Sequence, residues 1–524
     1  MDKSSKRTIT QLLNESAEES SASNGEGEAA VGSNGPSAPT APSSADKDGD
    51  PWQEGSSSSA NSRPRAKVAR TRQNSPTAFR TASRSPVLMT VNAPSGSTPN
   101  AITIQTLPLS IIHIPRSSRP SSPVQMRTPI PAPAPAAPPL VQGPPPPFQK
   151  PHQLVAFSYT PAREQVFDNS SLRYFIEPPR NADLGYGIQR WIRKPEERAR
   201  LDGLLVACLR KEVKAERKRA DFITWRGIMT KIFTAPYEQR EGWDLNVMCV
   251  NGTIYLEEHV SDRQLDLKQD LAPDHLRMTY YGYAFESYCT RSEPPLKQNG
   301  DGNTPAPSKP GWGGDVDTNV QWCSVVKTKL GDLRLILGGE VDCVRDTYVG
   351  QPDTFVELKT SAEIRSTYKG DKRKFELKLL KFYTQSFLLG VPEIVVGFRS
   401  PEGRLTQYLP FQTSRLPKLV RESTKQWEPG TCVQWAHETL QFLKRTVGTA
   451  TGTVTRAGSP GDYESRARNV WRLRFEPGFG LKLWLLHESE VKSQVEVGEQ
   501  ERVGFLPKSY FEEMLASMAK KEVV

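Results

Sequence analysis

Residues 1–150 hold 23 of the chain's 44 prolines and only three aromatics, Trp52, Phe79 and Phe148. Runs such as "SASNGEGEAAVGSNGPSAPTAPSS" and "TPIPAPAPAAPPLVQGPPPPF" contain little that can form a core. A segment of this kind cannot bury enough apolar surface to offset the entropy lost on ordering. The expectation is a disordered Pro/Ser/Ala-rich extension over 1–150. The remaining residues 151–524, about 370 of them, then form one large domain or two intimately packed ones.

The formal net charge of +10 is unevenly distributed. Residues 1–50 carry 4 basic and 9 acidic side chains, residues 51–150 carry 11 and 1, and the rest carries 54 and 49. The basic character therefore belongs partly to the extension, and it does not show that the folded part binds nucleic acid. One localised cluster, "RPRAKVARTR" at 63–72, reads either as a nuclear-import signal or as a solvated basic patch. "GPPPPF" reads as a stiff spacer rather than a ligand for a proline-reading domain.

The six cysteines (208, 249, 289, 323, 343 and 432) show no C-x-x-C spacing, which argues against a zinc site. Free, mostly buried thiols in a reducing compartment are expected. The N-terminus has no apolar signal region, and no run reaches the ~18–20 apolar residues of a membrane span. A soluble intracellular protein with no membrane partner is expected.

Beyond residue 150, "HQLVAFSYTP" begins the strand-like pieces. In "KPEERARLDGLLVACLRKEVKAERKRADF", Leu201, Leu204, Leu205 and Cys208 recur at helical spacing, which predicts one amphipathic helix. "LNVMCVNGTIYLEEH" reads as a hairpin turning at Asn-Gly. Residues 291–314 form a Pro/Gly-rich interruption, either a loop over a site or a tolerated insertion. "DKRKFELKLLKFYTQSFLLG" predicts a helix ending at Gly390, with Pro392 just beyond. "EIVVGFRS" reads as a strand, "CVQWAHETLQFLKRTV" as a helix, and "GTATGTVTRAGSPGDYESR" as a surface loop. "NVWRLRFEPGFGLKLWLL" reads as strand-rich and "SYFEEMLASMAKK" as a closing helix. The mixture indicates an α/β (mixed α+β) fold.

Two apolar strands then break their own pattern. "LILGGEVDCV" carries Glu340 and Asp342, and "TFVELKT" carries Glu357 and Lys359. Residues two apart on a strand share a face, so each charged pair points one way while Val341, Cys343, Val356 and Leu358 point the other. The connection with Gly350, Pro352 and Asp353 predicts a hairpin that places all four charges on one surface. Three carboxylates that close repel one another, and a divalent cation relieves the repulsion. Oxygen ligands suit Mg2+ or Mn2+, and the lysine adds a group for a phosphate oxygen. Gly338 and Gly339 leave room for a ligand or another backbone. The plainer alternative is an amphipathic hairpin with a solvated charged face, but apolar residues flank the charges on both sides.

Glu286, within the aromatic run "YYGYAFESYCT", needs a buried partner, either a metal or a structural hydrogen bond. Arg226 in "DFITWRGIMTKIF" can clamp a phosphate or pair with a core acid. Lys378, Lys381 and Gln385 make a polar stripe at i, i+3, i+7 on the helix whose other side carries Phe375, Leu379, Phe382 and Leu389. Such a stripe is a solvated face or a track for an RNA backbone.

The order acid-x-Asp, a 15-residue gap, then Glu-x-Lys resembles the PD-(D/E)XK nuclease core. Together with Gly-aromatic-x-aromatic-Glu (Gly282 to Glu286), a preceding "TWRG" and a following "YTQSFLLGVPEIVVGFR", the region from about residue 150 onward resembles the decapping-and-exoribonuclease (DXO) family. Its fungal branch includes the binding partner of the nuclear 5′–3′ exoribonuclease. The resemblance implies two β-sheets with flanking helices and a pocket between them. It implies a metal-dependent hydrolase that removes 5′ triphosphate, incompletely methylated caps or NAD caps from RNA, with 5′–3′ exonucleolysis in some members. A nuclear location is expected, with the cytoplasm as a second one. It implies two divalent ions, Mg2+ or Mn2+. Their ligands would be Glu286, Asp342, Glu357 and the Leu358 carbonyl, with Glu340 on a second ion or its water. Lys359 and Gln385 would meet the reacting phosphate and Arg226 the RNA 5′ end. The competing expectations are a protein that mainly stabilises an exoribonuclease, and a DNA nuclease of the wider PD-(D/E)XK group.

Overall fold

The structure, a computed structural model, describes residues 103–112, 143–294, 313–364, 369–451, 460–498 and 500–519. The 63–72 cluster, most of the 1–150 extension and residues 295–312 of the interruption lie outside the described residues.

Two sheets organise the chain. The larger runs in the order β1 (Gln105–Pro108), β16 (Gly480–Leu485), β15 (Trp471–Glu476), β6 (Trp243–Val250), β7 (Thr253–His259), β5 (Phe222–Trp225), β10 (Leu333–Glu340), β9 (Gln321–Leu330), β2 (His152–Tyr159) and β3 (Gln165–Val166). The smaller runs β14 (Leu405–Gln412), β13 (Glu393–Arg399), β12 (Phe355–Ala362), β11 (Cys343–Val344), β4 (Tyr174–Phe175) and β8 (Thr290–Arg291). Both sheets mix parallel and antiparallel pairs: β10 lies parallel to β5 but antiparallel to β9, and β12 parallel to β13 but antiparallel to β11. This is the expected mixed fold of two sheets with flanking helices.

The helices Arg226–Thr234, Lys369–Leu389 and Pro429–Leu443 share one apolar core with both sheets, in which Leu335 and Leu337 of β10 meet Phe375 and Leu379 and, from β13, Ile394 and Val396. The alternate residue Ile336 faces a second core with Leu204, Leu205 and Cys208. The helix Pro273–Tyr288 covers the smaller sheet, burying Phe285 and Ala284 with Val356, Leu358 and Val395. Period-two burial along β10, β12 and β13 thus connects three cores. All six cysteines are buried free thiols. Among the described residues no helix is long and apolar enough to cross a membrane.

Local chemistry explains most boundaries. Asn251 (φ 52°) and Gly252 (φ 78°) both adopt left-handed backbone, which closes the β6–β7 hairpin as the Asn-Gly pair predicts. Gly390 (φ 77°) ends the helix Lys369–Leu389.

Four expectations need correction. Residues 103–112 are not a free extension: β1 pairs with β16, and Leu107, Leu109 and Ile112 are buried in the main core. "GPPPPF" is not a free spacer. Phe148 packs against Phe387 at 4.5 Å between ring centroids, and the Gly331 N–H donates to the Pro147 carbonyl at 2.8 Å. The helix expected within 194–222 is two short ones, Asp202–Leu209 and Lys211–Arg217, because Arg210 takes an extended conformation (ψ 146°). The loop expected over 448–466 contains helical turns at Thr449–Thr451 and Pro460–Ala467.

Candidate active site

The charged strands do not form a single hairpin. Glu340 ends β10 in the larger sheet, opposite Cys323 of β9. Two residues after Val341 the chain has joined the smaller sheet, where Cys343 pairs with Val356 of β12. Asp342 lies in the crossing. The alternation persists through it, so Val341 and Cys343 are buried while Glu340 and Asp342 are partly exposed on the other side. The expected common surface is therefore a seam between two sheets. The Leu358 N–H donates to Asp342 Oδ2 at 2.6 Å and ties the crossing to β12.

The paired glycines before the seam make room for side chains rather than for a ligand. A Cβ on Gly338 would lie 2.7 Å from the Trp225 ring, and one on Gly339 would lie 2.7 Å from Leu389 and 3.0 Å from Arg226 Cβ. Trp225 ends β5 and Arg226 begins the next helix, so "GG" and "WRG" are complementary parts of one contact.

That contact delivers Arg226 to the acids. Its Nη1 lies 3.2 and 3.1 Å from the two carboxylate oxygens of Glu357. Of the two readings of Arg226, the structure shows the core ion pair. Lys359, two residues along β12 from Glu357, puts its ammonium 2.7 Å from Glu357 Oε1, 3.5 Å from Asp342 Oδ2 and 3.0 Å from the Leu358 carbonyl. Glu357 is 1% exposed. Burial opposes its ionisation, yet Arg226 and Lys359 together hold the carboxyl below its ordinary value. The other acids move the opposite way. Burial, then repulsion from Asp342, pushes Glu340 up to about 7 and Glu286 well above the usual range. Burial also raises Asp342, against the pull of Lys359. One acid is thus fixed as a carboxylate while three lack enough positive charge.

Glu286 arrives from the helix Pro273–Tyr288. It shares with Glu340 and Asp342 a cavity of about 120 Å³ that is also lined by Arg173, Tyr283 and Gln321. Glu357, Lys359, Arg226 and Gln385 do not line that cavity. Gln321 Nε2 donates to Glu340 Oε2 at 2.9 Å, while Gln321 Oε1 accepts from Arg163 at 2.6 Å. Gln385 lies on the helix Lys369–Leu389 and makes no hydrogen bond within the described structure. Lys378, of the same stripe, donates to the Thr360 carbonyl at 3.1 Å.

Tyr283, Gln321 and Arg173 are absent from the sequence-based list. The signal for Tyr283 was present, since it is the first aromatic of the Gly-aromatic-x-aromatic-Glu run and, three residues before Glu286, shares its helix face. Gln321 and Arg173 carry no local signal.

The donors suit a hard divalent ion, since every candidate ligand is oxygen. The Lys359 ammonium stands in for such a cation, touching three of the expected ligand groups, while the Glu286 carboxylate has no hydrogen bond or ion pair among the described residues. No three acidic, histidine or cysteine side chains there close on one point as a finished cage. The residues fit the ion in chemistry.

Residues 149–511 match the family described as RAI1 like PD-(D/E)XK nuclease. The chain belongs to this family. Over 445 residues it is 35% identical to the decapping nuclease RAI1 of Mycosarcoma maydis, a match spanning 70% of this chain and 88% of that protein. It is 37% identical over 337 residues to the decapping and exoribonuclease protein of Homo sapiens, covering 61% and 81% of the two chains. Among solved structures, S. pombe Rai1 in complex with 3′-FADP is similar with a TM-score of 0.53 at 28% identity, covering 66% of this chain and 97% of that one. In this RAI1-like fold the Glu-x-Asp and Glu-x-Lys segments lie on either side of the seam.

Proposed function

We propose that this chain is a divalent-metal-dependent hydrolase of RNA 5′ ends. It removes triphosphate as pyrophosphate and takes off incompletely methylated and NAD caps, with 5′–3′ exonucleolysis drawing on the same site. The observation that carries the reading is the placement of Glu286, Glu340 and Asp342 around one cavity at the seam, with Asp342 linked to Glu357 through Lys359. Membership of the RAI1-like family and the decapping nucleases among its relatives support RNA 5′ ends as the substrate class.

In this reading Glu286, Asp342, Glu357 and the Leu358 carbonyl hold the ion, and Glu340 serves a second ion or its water. Such an ion supplies a Lewis acid for the phosphoryl group and an acidified water. Lys359, relieved of its carboxylates, meets the charge that develops on the phosphoryl oxygens. Gln385 contributes a donor from the neighbouring helix. Arg226, one of whose nitrogens carries the contact to Glu357, turns to the 5′-terminal phosphates.

The test is a panel of RNAs carrying triphosphate, unmethylated cap, methylated cap, NAD cap, hydroxyl or monophosphate 5′ ends, incubated with Mg2+ or Mn2+. Release from the triphosphate or an incomplete cap, lost in Asp342→Ala, is expected. Folded protein that acts on none of them, or that cuts duplex DNA instead, would sink the reading. The same proposal includes a nuclear 5′–3′ exoribonuclease as partner and a mainly nuclear location with a cytoplasmic fraction. Their support is the family resemblance and the 63–72 cluster. Co-purification using Asp342→Ala protein, and imaging of a chain lacking 63–72, test them.

A further inference from the structure

The helix Pro273–Tyr288 carries four tyrosines, and three of them donate their hydroxyls to backbone carbonyls. Tyr280 bonds to Tyr186 at 2.7 Å, Tyr281 to Glu402 at 3.5 Å and Tyr288 to Asp183 at 3.2 Å. Tyr283 is the exception. Its hydroxyl has no hydrogen bond among the described residues, although the side chain is partly buried.

The position of that hydroxyl is fixed. Trp191 packs against the Tyr283 ring at 5.7 Å between centroids and is itself braced by Tyr280 at 5.5 Å. Tyr283 precedes Glu286 by three residues, less than one helical turn, so the two side chains emerge on the same face. Both line the cavity that Glu340 and Asp342 also border. A phosphate entering this cavity brings acceptors only. The carboxylates cannot donate to it once ionised. Of the other donors that line it, Gln321 already donates to Glu340, while Arg173, the cavity's cation, reaches Ser292 Oγ at 3.1 Å and supplies charge rather than a fixed donor beside Glu286. A rigid, partly buried donor beside the reacting centre, with nothing to donate to, is a group whose acceptor arrives with the substrate.

We infer that Tyr283 contacts the substrate, donating its hydroxyl hydrogen bond to a non-bridging oxygen of a 5′-terminal phosphate. The inference rests on the proposed action at RNA 5′ ends and adds a contact that the acid and lysine motifs do not specify. A phenol placed here recognises a phosphorylated 5′ end and has no such acceptor on a 5′-hydroxyl end.

Tyr283→Phe is the cleanest variant, since it keeps the ring against Trp191 and removes one oxygen. A hydrogen bond to a charged acceptor corresponds to roughly a 10- to 100-fold effect, so kcat/KM on 5′-triphosphate RNA should fall by about that factor. The melting temperature and calorimetric Mn2+ affinity should be unchanged. Binding is measured separately in full-length Asp342→Asn protein, where turnover is not needed. There Tyr283→Phe should weaken binding of 5′-triphosphate RNA about 10-fold and leave 5′-hydroxyl RNA unaffected. If the unsubstituted protein hydrolyses none of the RNAs, the proposed function fails while the binding comparison still decides the role of Tyr283. Equal triphosphate affinity with and without the hydroxyl overturns the inference. So does weakened Mn2+ binding with RNA affinity intact, which would assign the phenol to Glu286.

Discussion

The Lys359 ammonium lies 2.7 Å from Glu357 Oε1, and strand geometry enforces the pairing because the two residues are two apart on β12. Asp342 shares the same lysine at 3.5 Å. A divalent ion held by these carboxylates in the folded protein and not in the unfolded chain should raise stability by about 2.7 kcal/mol at 100 times its dissociation constant. Melts in chelator and in Mn2+ should differ accordingly. Asp342→Asn should remove most of the difference while folding normally in chelator. Identical melts of the parent protein in both conditions would contradict an ion site at the seam.

Gly338 and Gly339 should not tolerate a methyl group. The atoms in the way are the Trp225 ring and Leu204 Cδ1 at Gly338, and Leu389 Cδ1 and Arg226 Cβ at Gly339; both leucine methyls are fully buried, and the ring and the Cβ cannot swing aside. Overpacking of this kind costs about 1–3 kcal/mol. Gly339→Ala should lower the urea midpoint by that amount. It should also slow turnover more than the stability loss explains, since Arg226 is pushed from its place beside Glu357. Full activity in a destabilised Gly339→Ala protein would show that the position of Arg226 does not matter.

The site was legible in the sequence to the extent that its logic is local. Glu340, Asp342, Glu357 and Lys359 stood out because charge at period two was flanked by apolar residues on both sides, which a solvated amphipathic hairpin does not require. That Val341 and Asp342 carry the chain from one sheet to the other was not legible, because alternation looks the same whether or not a strand changes partners. The role of Gly338 and Gly339 also depends on Trp225 and Arg226, more than a hundred residues away. The break at Arg210 was hidden because the apolar spacing continues across it. For β1 a signal existed: "AITIQTLPLSIIHI" is an apolar island in a Pro/Ser-rich background, and the average composition of residues 1–150 masked it.

That island gives a prediction about the sheet edge. Gly480 of β16 has φ +121°, and a Cβ there would lie 2.3 Å from the Leu107 carbonyl oxygen and 2.8 Å from the Leu109 nitrogen. Both obstacles are backbone, so neither can rotate aside. Gly480→Ala should therefore displace β1 without touching the seam. Hydrogen exchange at residues 480–485 should accelerate, and residues 103–112 should become more sensitive to protease, with RNA 5′-end hydrolysis retained. Unchanged protection of β16 would mean that β1 contributes nothing to that edge.

His259, at the end of β7, should set part of the acid limb of stability. Burial, followed by the nearby Arg472, lowers its imidazole from 6.5 to about 4, with Asp244 acting in the opposite direction. The native protein therefore keeps His259 neutral between about pH 6.5 and 4, while the unfolded chain binds a proton there. The unfolded state holds more protons in that window, so stability rises with pH through it and is lost as pH falls. Below the folded value both states are protonated and the contribution stops changing. His259→Gln should flatten this dependence, so that its urea midpoint changes less than the parent's between pH 7 and pH 4.5. The comparison belongs in chelator, which keeps any ion at the acidic seam from adding its own pH dependence. Parallel pH profiles for parent and variant would show that His259 titrates alike in both states.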